Sequence, residues 1–248
     1  GTFAHDFGAS GYNYVSWNWK AGGAAVTNED GSVASQVSAN VAAGFSIVTN
    51  ASPAGAYTWG HGLSKAPELW INKSTDYVYG WETLYPKTFG NASGSLNPAD
   101  WAYGFLNTSA SIGNQTVYCA DDEVLSSTGW GQVNNFITYC WHSVPGYSKI
   151  GFYIGNGSTT GPTIYTGFKP AWIMIKRTDG TGSWYMYDNK RSTTNPWNDI
   201  LQANESVIED TNATYSDLNY LDNGFQLKTT NAEFNGSRST YIYMTFAE

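Results

Sequence analysis

Ala171-Trp172-Ile173-Met174-Ile175-Lys176-Arg177-Thr178-Asp179 is the stretch on which the reading of this chain turns. It follows Tyr165-Thr166-Gly167-Phe168-Lys169-Pro170 and leads into Trp184-Tyr185-Met186-Tyr187-Asp188. A weaker copy stands earlier. There Trp59-Gly60-His61-Gly62-Leu63 precedes Pro67-Glu68-Leu69-Trp70-Ile71-Asn72-Lys73-Ser74-Thr75-Asp76, followed by Trp81-Glu82. Pro67 pairs with Pro170, Trp70 with Ile173, Lys73 with Lys176 and Asp76 with Asp179, all at one offset. Self-similarity at a fixed spacing is the signature of an internal repeat, so the chain reads as a duplication.

The segments around these copies alternate as strands do. In Tyr12–Lys20, Val15, Trp17 and Trp19 fall on one face and Tyr12, Tyr14, Ser16 and Asn18 on the other, which predicts a strand. Phe136–Trp141 and Tyr241–Phe246 resemble it, and each closes a repeat. The first such segment has no repeat before it, so it must pair, either within the chain or with a neighbouring copy. Val33–Val41 reads as another strand, and Gly44–Thr49 matches Gly151–Asn156 as the opening of a repeat. Trp101, Tyr103 and Phe105 alternate inside a Gly-, Asn- and Ser-rich region, residues 86–116. Asn198–Asp210 allows a short helix, Gly224–Lys228 is a strand with Phe225 and Leu227 inward, and Asn235-Gly236 signals a hairpin. Residues 44–141 form the first repeat and 142–248 the second; residues 1–43 are an N-terminal strand segment packing on the first. Pro145-Gly146 marks a turn between repeats, too short for a free linker, so the two units pack together. Short strands, frequent turns and almost no helix give an all-β sandwich or barrel.

Composition narrows the function classes. Charged residues are only 13%, and 20 acids outnumber 12 bases, so a phosphate backbone is repelled and nucleic acid is not an expected partner. No apolar run is long enough to span a bilayer, no signal peptide is visible, and the start at Gly1 suggests a processed or truncated chain. Cys119 and Cys140 are read as two thiols or as one bridge within the first repeat.

Several stretches resemble a family. Tyr14–Gly23, Ser35–Asn40, Ala43–Thr49, Gly146–Gly151, Tyr165–Ala171, Asn223–Leu227 and Tyr241–Glu248 are similar to the concanavalin A-like, laminin-G-like repeats of marine bacteriophage virion proteins. The resemblance runs from Tyr12 to the end of the chain and carries no catalytic signature. It implies two tandem jelly-roll sandwiches on a phage particle, in a tail fibre, spike or capsid appendage. It implies a virion-surface or extracellular location and leaves the ligand open. Residues 77–130 depart from the second repeat and are more aromatic, so they are the expected seat of what is particular to this protein.

The candidate chemistry is sparse. A retaining glycosidase needs two carboxylates roughly 5–5.5 Å apart, and no Glu-x-Asp-x-x-Glu strand supplies them. Asp121-Asp122-Glu123 is the densest acidic cluster, read as a solvated loop or a Ca²⁺ site, with calcium the one cofactor considered. His5, His61 and His142 are scattered, and His61 sits in a structural turn. Nine Asn-x-Ser/Thr triplets reflect an Asn- and Thr-rich chain. Eleven Trp and 18 Tyr are more than two small cores need. Exposed rings stack on sugar C–H faces and also fill subunit interfaces. Trp59, Tyr77, Tyr79, Trp81, Trp101 and Tyr103 are therefore candidates for glycan binding or for an interface. The expectation is a non-enzymatic virion component for assembly and attachment, with other copies, other virion proteins or a host glycan as partners. A homo-oligomer without membrane insertion is expected. Its alternatives are a purely structural decoration subunit and a sandwich-class glycan hydrolase.

Overall fold

A computed structural model describes residues 11, 13–88, 94–114, 117–128, 133–211 and 213–248. The chain is nearly all β. In chain order the first half holds β1 (Val26–Asn28), β2 (Ser35–Asn40), β3 (Phe45–Ser52), β4 (Tyr57–Gly60), β5 (Leu69–Ser74) and β6 (Glu82–Pro86). It continues with β7 (Gly94–Ser95), β8 (Trp101–Phe105), β9 (Gly113–Asn114), β10 (Tyr118–Asp121), β11 (Val124–Ser127) and β12 (Asn134–Trp141). The second half holds β13 (Ser148–Ile154), β14 (Thr163–Tyr165), β15 (Pro170–Arg177), β16 (Trp184–Asp188) and β17 (Leu201–Gln202). After these come β18 (Leu218–Leu221), β19 (Gly224–Leu227), the single turn α1 (Ala232–Asn235) and β20 (Thr240–Ala247).

The duplication shows in the strand order. One large sheet runs β1-β2-β3-β12-β5-β6-β8-β9 and the other β13-β20-β15-β16-β17. The small sheets run β4-β11-β10-β7 and β14-β19-β18. The shared cores, β3-β12-β5-β6 with β4-β11-β10 and β13-β20-β15-β16 with β14-β19-β18, are the same arrangement. Register agrees as well. Trp70 lies opposite Cys140 and Leu84, and Ile173 lies opposite Thr245 and Tyr187. The opening strands fit less simply than the sequence suggests. Ser46 faces Cys140 and Lys149 faces Thr245, so Phe45 is equivalent to Ser148 and not to Phe152. The sequence match is slipped by four residues. An even slip keeps every side chain on its face, so alternation alone cannot expose the error.

Each large sheet is covered on both faces, which explains the unbroken apolar run in β15. Ile173 and Ile175 point inward, onto a core with Phe225, Leu227 and Trp197. Trp70, Leu84 and Cys140 do the same in the first half, against Trp59, Tyr118 and Leu125. The opposite faces meet each other. Leu69, Ile71, Trp141 and Phe45 pack against Trp172, Met174, Met244 and Phe246, forming a third core between the halves.

The N-terminal segment differs from the expectation. Residues 13–20 form no strand, and Tyr12 lies outside the described residues. The alternation is real but serves the third core: Trp19 sits 5.4 Å from Trp172, 5.6 Å from Phe246 and 6.1 Å from Trp141. Trp17 is 6.2 Å from Trp172, with the Arg191 guanidinium 5.6 Å from its ring. Side-chain packing, not a backbone ladder, holds the segment in place.

Two local readings are corrected, and the cysteine alternatives are decided. Asn198–Asp210 is not a helix: Ile200 bridges Asp210, and Ile208 is 90% exposed, so no apolar face exists to support one. Asn235-Gly236 is not a hairpin turn. Asn231 caps α1 by accepting from Glu233 N–H, and the buried Asn235 amide donates to Asn156, Ser158 and Thr229 oxygens. Cys119 and Cys140 are both buried free thiols.

Candidate functional site

The six aromatic candidates separate by strand geometry. Trp59 and Trp101 are each 1% exposed and belong to the first core, so they are removed from any binding surface. Both occupy inward positions of strands that face each other across the half, where a ring is worth most buried. Tyr103 is half-buried beside Phe105, with ring centroids 5.0 Å apart. Tyr77, Tyr79 and Trp81 are exposed, together with the fully exposed Val78 between the two tyrosines. These four belong to one loop, Thr75–Trp81, which joins β5 to β6.

The base of that loop is fixed. Ser74 Oγ accepts from Tyr77 N–H at 3.0 Å and donates to Asn134 Oδ1 at 2.9 Å. Thr75 N–H donates to the Asn135 carbonyl, while Asp76 Oδ2 accepts from the Asn135 backbone and side-chain N–H groups at 2.8 and 2.9 Å. At the other end Trp81 N–H donates to Asn107 Oδ1 at 2.7 Å, and Leu106 N–H donates to the Trp81 carbonyl. Between these clamps Tyr79 N–H donates to Tyr77 C=O, which turns the chain sharply and brings the two rings to 5.9 Å. A held base and an exposed, clustered aromatic apex suit stacking on a ligand at low ordering cost.

A second feature was not singled out in the sequence. Glu82 is buried at the start of β6, where Oε2 accepts from Asn72 Nδ2 at 3.0 Å and Tyr118 OH at 3.1 Å. Tyr103 OH reaches Oε1 at 3.4 Å, and Asn72 Oδ1 accepts from Thr138 Oγ1 at 2.8 Å. Burial raises the carboxyl pKa above its ordinary value, partly offset by the hydrogen bonds from Asn72, Tyr118 and Tyr103. The signal was present: Glu82 stands two residues before Leu84, on the inward face of the strand. Its hydrogen-bond partners are an amide and two phenols, so these contacts do not assemble the carboxylate pair that glycoside hydrolysis uses.

The acidic candidates form a turn. Asp122 and Glu123 connect β10 to β11 as a two-residue hairpin. Asp121 Oδ1 accepts from Glu123 and Val124 N–H at 2.9 and 2.8 Å, and Asp122 Oδ1 accepts from Ala66 N–H at 2.9 Å. Among the described residues no group of three or more His, Cys, Asp or Glu side chains gathers as a metal site. His61 is buried beside this turn. Its Nε2–H donates to the Asp121 carbonyl at 3.0 Å and its Nδ1 accepts from Leu63 N–H at 3.1 Å. Burial lowers its pKa, keeping it neutral in a structural role.

No curated protein matches the chain, and no solved structure does. A family model matches residues 1–248, so the chain belongs to the family described as a domain of unknown function, DUF7483.

Proposed function

We propose that this member of DUF7483 is a non-enzymatic virion-surface protein, a lectin-like module of a tail fibre, spike or capsid appendage that serves assembly and attachment to host-surface glycans. The observation that carries the reading is the loop Thr75–Trp81, which holds Tyr77, Val78, Tyr79 and Trp81 in solvent on a hydrogen-bonded base. A folded chain gains nothing in stability from exposing four such side chains, so a binding role accounts for them better than packing does. Asp76, Asn107 and Asn135 at the base supply polar groups of the kind that fix sugar hydroxyls. The virion setting rests on the resemblance of the strand motifs alone.

A glycan array probed with the wild-type chain tests this. Selective binding is expected, and it should disappear in a Tyr77→Ala, Tyr79→Ala, Trp81→Ala triple variant whose melting curve is unchanged. An array without binders, or binding that survives the triple variant, overturns the glycan reading. Release of reducing sugar from a bound glycan would instead favour the hydrolase alternative, with Glu82 the first residue to replace.

A further inference from the structure

The first half is closed along one side by a strap that the second half lacks. β2 adds to the outer edge of β3. Just before it, Gly31–Val33 run along the outer edge of β4. Ser32 and Val33 N–H both donate to the Thr58 carbonyl, at 3.0 and 3.1 Å, and Thr58 N–H donates to Ser32 Oγ at 2.9 Å. One segment, Gly31–Asn40, thus covers the edges of both sheets.

In the second half β13 and β14 take the places of β3 and β4. β13 is bonded to β20 and β14 to β19; among the described residues no strand adds to the other side of either. The connection between the halves, residues 142–147, cannot supply one. Part of it folds back on the start of β13, with Val144 N–H donating to Ser148 Oγ and Ser143 Oγ accepting from Ile150 N–H. The equivalence reaches single residues. Trp59 and Ile164 are both core, which sets Thr163 in the place of Thr58. Leu227 N–H donates to the Pro162 carbonyl and Thr166 N–H to the Asn223 carbonyl. Alternate residues of an antiparallel strand turn their polar groups to opposite sides, so Thr163 and Tyr165 turn theirs away from β19. Ile154 is 57% exposed and Tyr165 70% exposed at this side. None of Ile154, Thr163 and Tyr165 is the Lys or Pro that usually protects a sheet edge from added strands.

We propose that the β13–β14 side of the second half is a strand-addition site, which takes an extended, uncharged segment of another polypeptide chain in the place that Gly31–Gln36 holds on the first half. The chemistry of the occupant follows from the strap itself. Ser32–Asn40 is free of charge and mixes hydroxyl, amide and small apolar side chains. Backbone hydrogen bonds supply the affinity in such additions, and alternate side chains supply the selectivity. The site is separate from the aromatic loop and does not depend on glycan binding.

The probe is a fluorescent peptide with the sequence of residues 30–43, titrated into the full chain and followed by anisotropy and amide hydrogen exchange. Saturable binding is expected, with slowed exchange at Ile154, Thr163 and Tyr165. Tyr165→Pro removes an outward N–H without touching the ladder to β19, and it should abolish binding. The double variant Ile154→Lys with Tyr165→Lys changes exposed side chains only; it should keep the wild-type melting curve and weaken binding by about tenfold or more. No saturation at millimolar peptide overturns the proposal. So does protection that appears at Thr58 and β3, which would mean the peptide is displacing the chain's own strap.

Discussion

The loops after β5 and β15 begin alike and end differently. Thr75-Asp76-Tyr77-Val78-Tyr79-Gly80-Trp81 and Thr178-Asp179-Gly180-Thr181-Gly182-Ser183-Trp184 align at the offset that relates Trp70 to Ile173. In the second half, small residues let the loop lie under a segment contributed by the first half. Gly182 N–H donates to the Ser109 carbonyl, Ile112 N–H to the Thr178 carbonyl and Trp184 Nε1–H to the Phe105 carbonyl. Trp184 is 1% exposed as a result. In the first half the same segment meets the loop at its end, through Leu106 and Asn107 at Trp81, and the small positions of the loop carry Tyr, Val and Tyr. Trp81, at the position of Trp184, is 39% exposed. The two halves share one strand order; one half's loop serves as an interface between them, and the other half's loop carries exposed aromatic side chains.

The largest expected contrast tests that statement directly. Trp184→Ala empties a packed site and leaves the Phe105 carbonyl with the longer, 3.4 Å bond from Thr108 N–H, so it should cost about 3–5 kcal/mol. Trp81→Ala should cost less than about 1 kcal/mol while removing any ligand bound at the loop. Urea titration of both variants checks it. Equal losses would mean that the two loops are not divided between packing and binding.

A smaller contrast lies one strand earlier, between the equivalent residues Lys73 and Lys176. Lys73 is partly exposed and donates to the Ser74 carbonyl at 2.9 Å. Lys176 is fully buried between the halves, with a 3.4 Å contact to the Ser109 carbonyl. Burial lowers its pKa to about 8, against a nearby Glu233 that raises it. The unfolded chain therefore holds a proton that the folded chain has shed between about pH 8 and the ordinary lysine value. Stability should rise with pH across that window, because the cost of a buried charge, fully present below pH 8, is relieved. Lys176→Met should remove the rise and stabilise the protein at pH 7 by roughly 1–3 kcal/mol. Lys73→Met should change little. The comparison belongs between pH 8 and about 9.5, since phenols such as Tyr243, raised to about 12 by burial, make stability fall above the ordinary tyrosine value.

How far the sequence could be read follows from which contacts are local. The duplication and the strands β5 and β15 were legible because one offset aligned Pro, Lys and Asp at three positions. The unbroken apolar run Trp172–Ile175 is what a strand covered on both faces requires. Trp17 and Trp19 do turn into one core while Val15 stays exposed, and alternation cannot separate a laddered strand from a segment pinned by its side chains. The aromatic candidates were legible only in part. Trp59 and Trp101 are buried by inward alternation, whereas Trp81 and Trp184 differ through the segment Leu106–Ile112, which is distant from both in sequence. The surroundings of Glu82 were not legible because its partners Asn72, Tyr103 and Tyr118 come from three other strands.

The smallest expected effect concerns the acidic turn, and the second half supplies its control. Asp122-Glu123 joins β10 to β11 as Asp222-Asn223 joins β18 to β19, each with two residues between the strands. The Glu123 carbonyl accepts from His61 N–H and the Asn223 carbonyl from Thr166 N–H, at matching places. A turn that works with Asn at the position of Glu123 needs a backbone carbonyl there and not a charge. The Asp121 and Asp122 oxygens are spent on backbone N–H groups, and an amide oxygen can accept the same bonds. The double variant Asp121→Asn, Asp122→Asn should therefore stay within about 0.5 kcal/mol of wild type. EDTA should leave its melting curve and that of the wild type unchanged. A fall in the wild-type melting temperature on chelation, absent from the double variant, would show a bound cation stabilising the folded state. It would also show that the first half had put this turn to a use the second half never had.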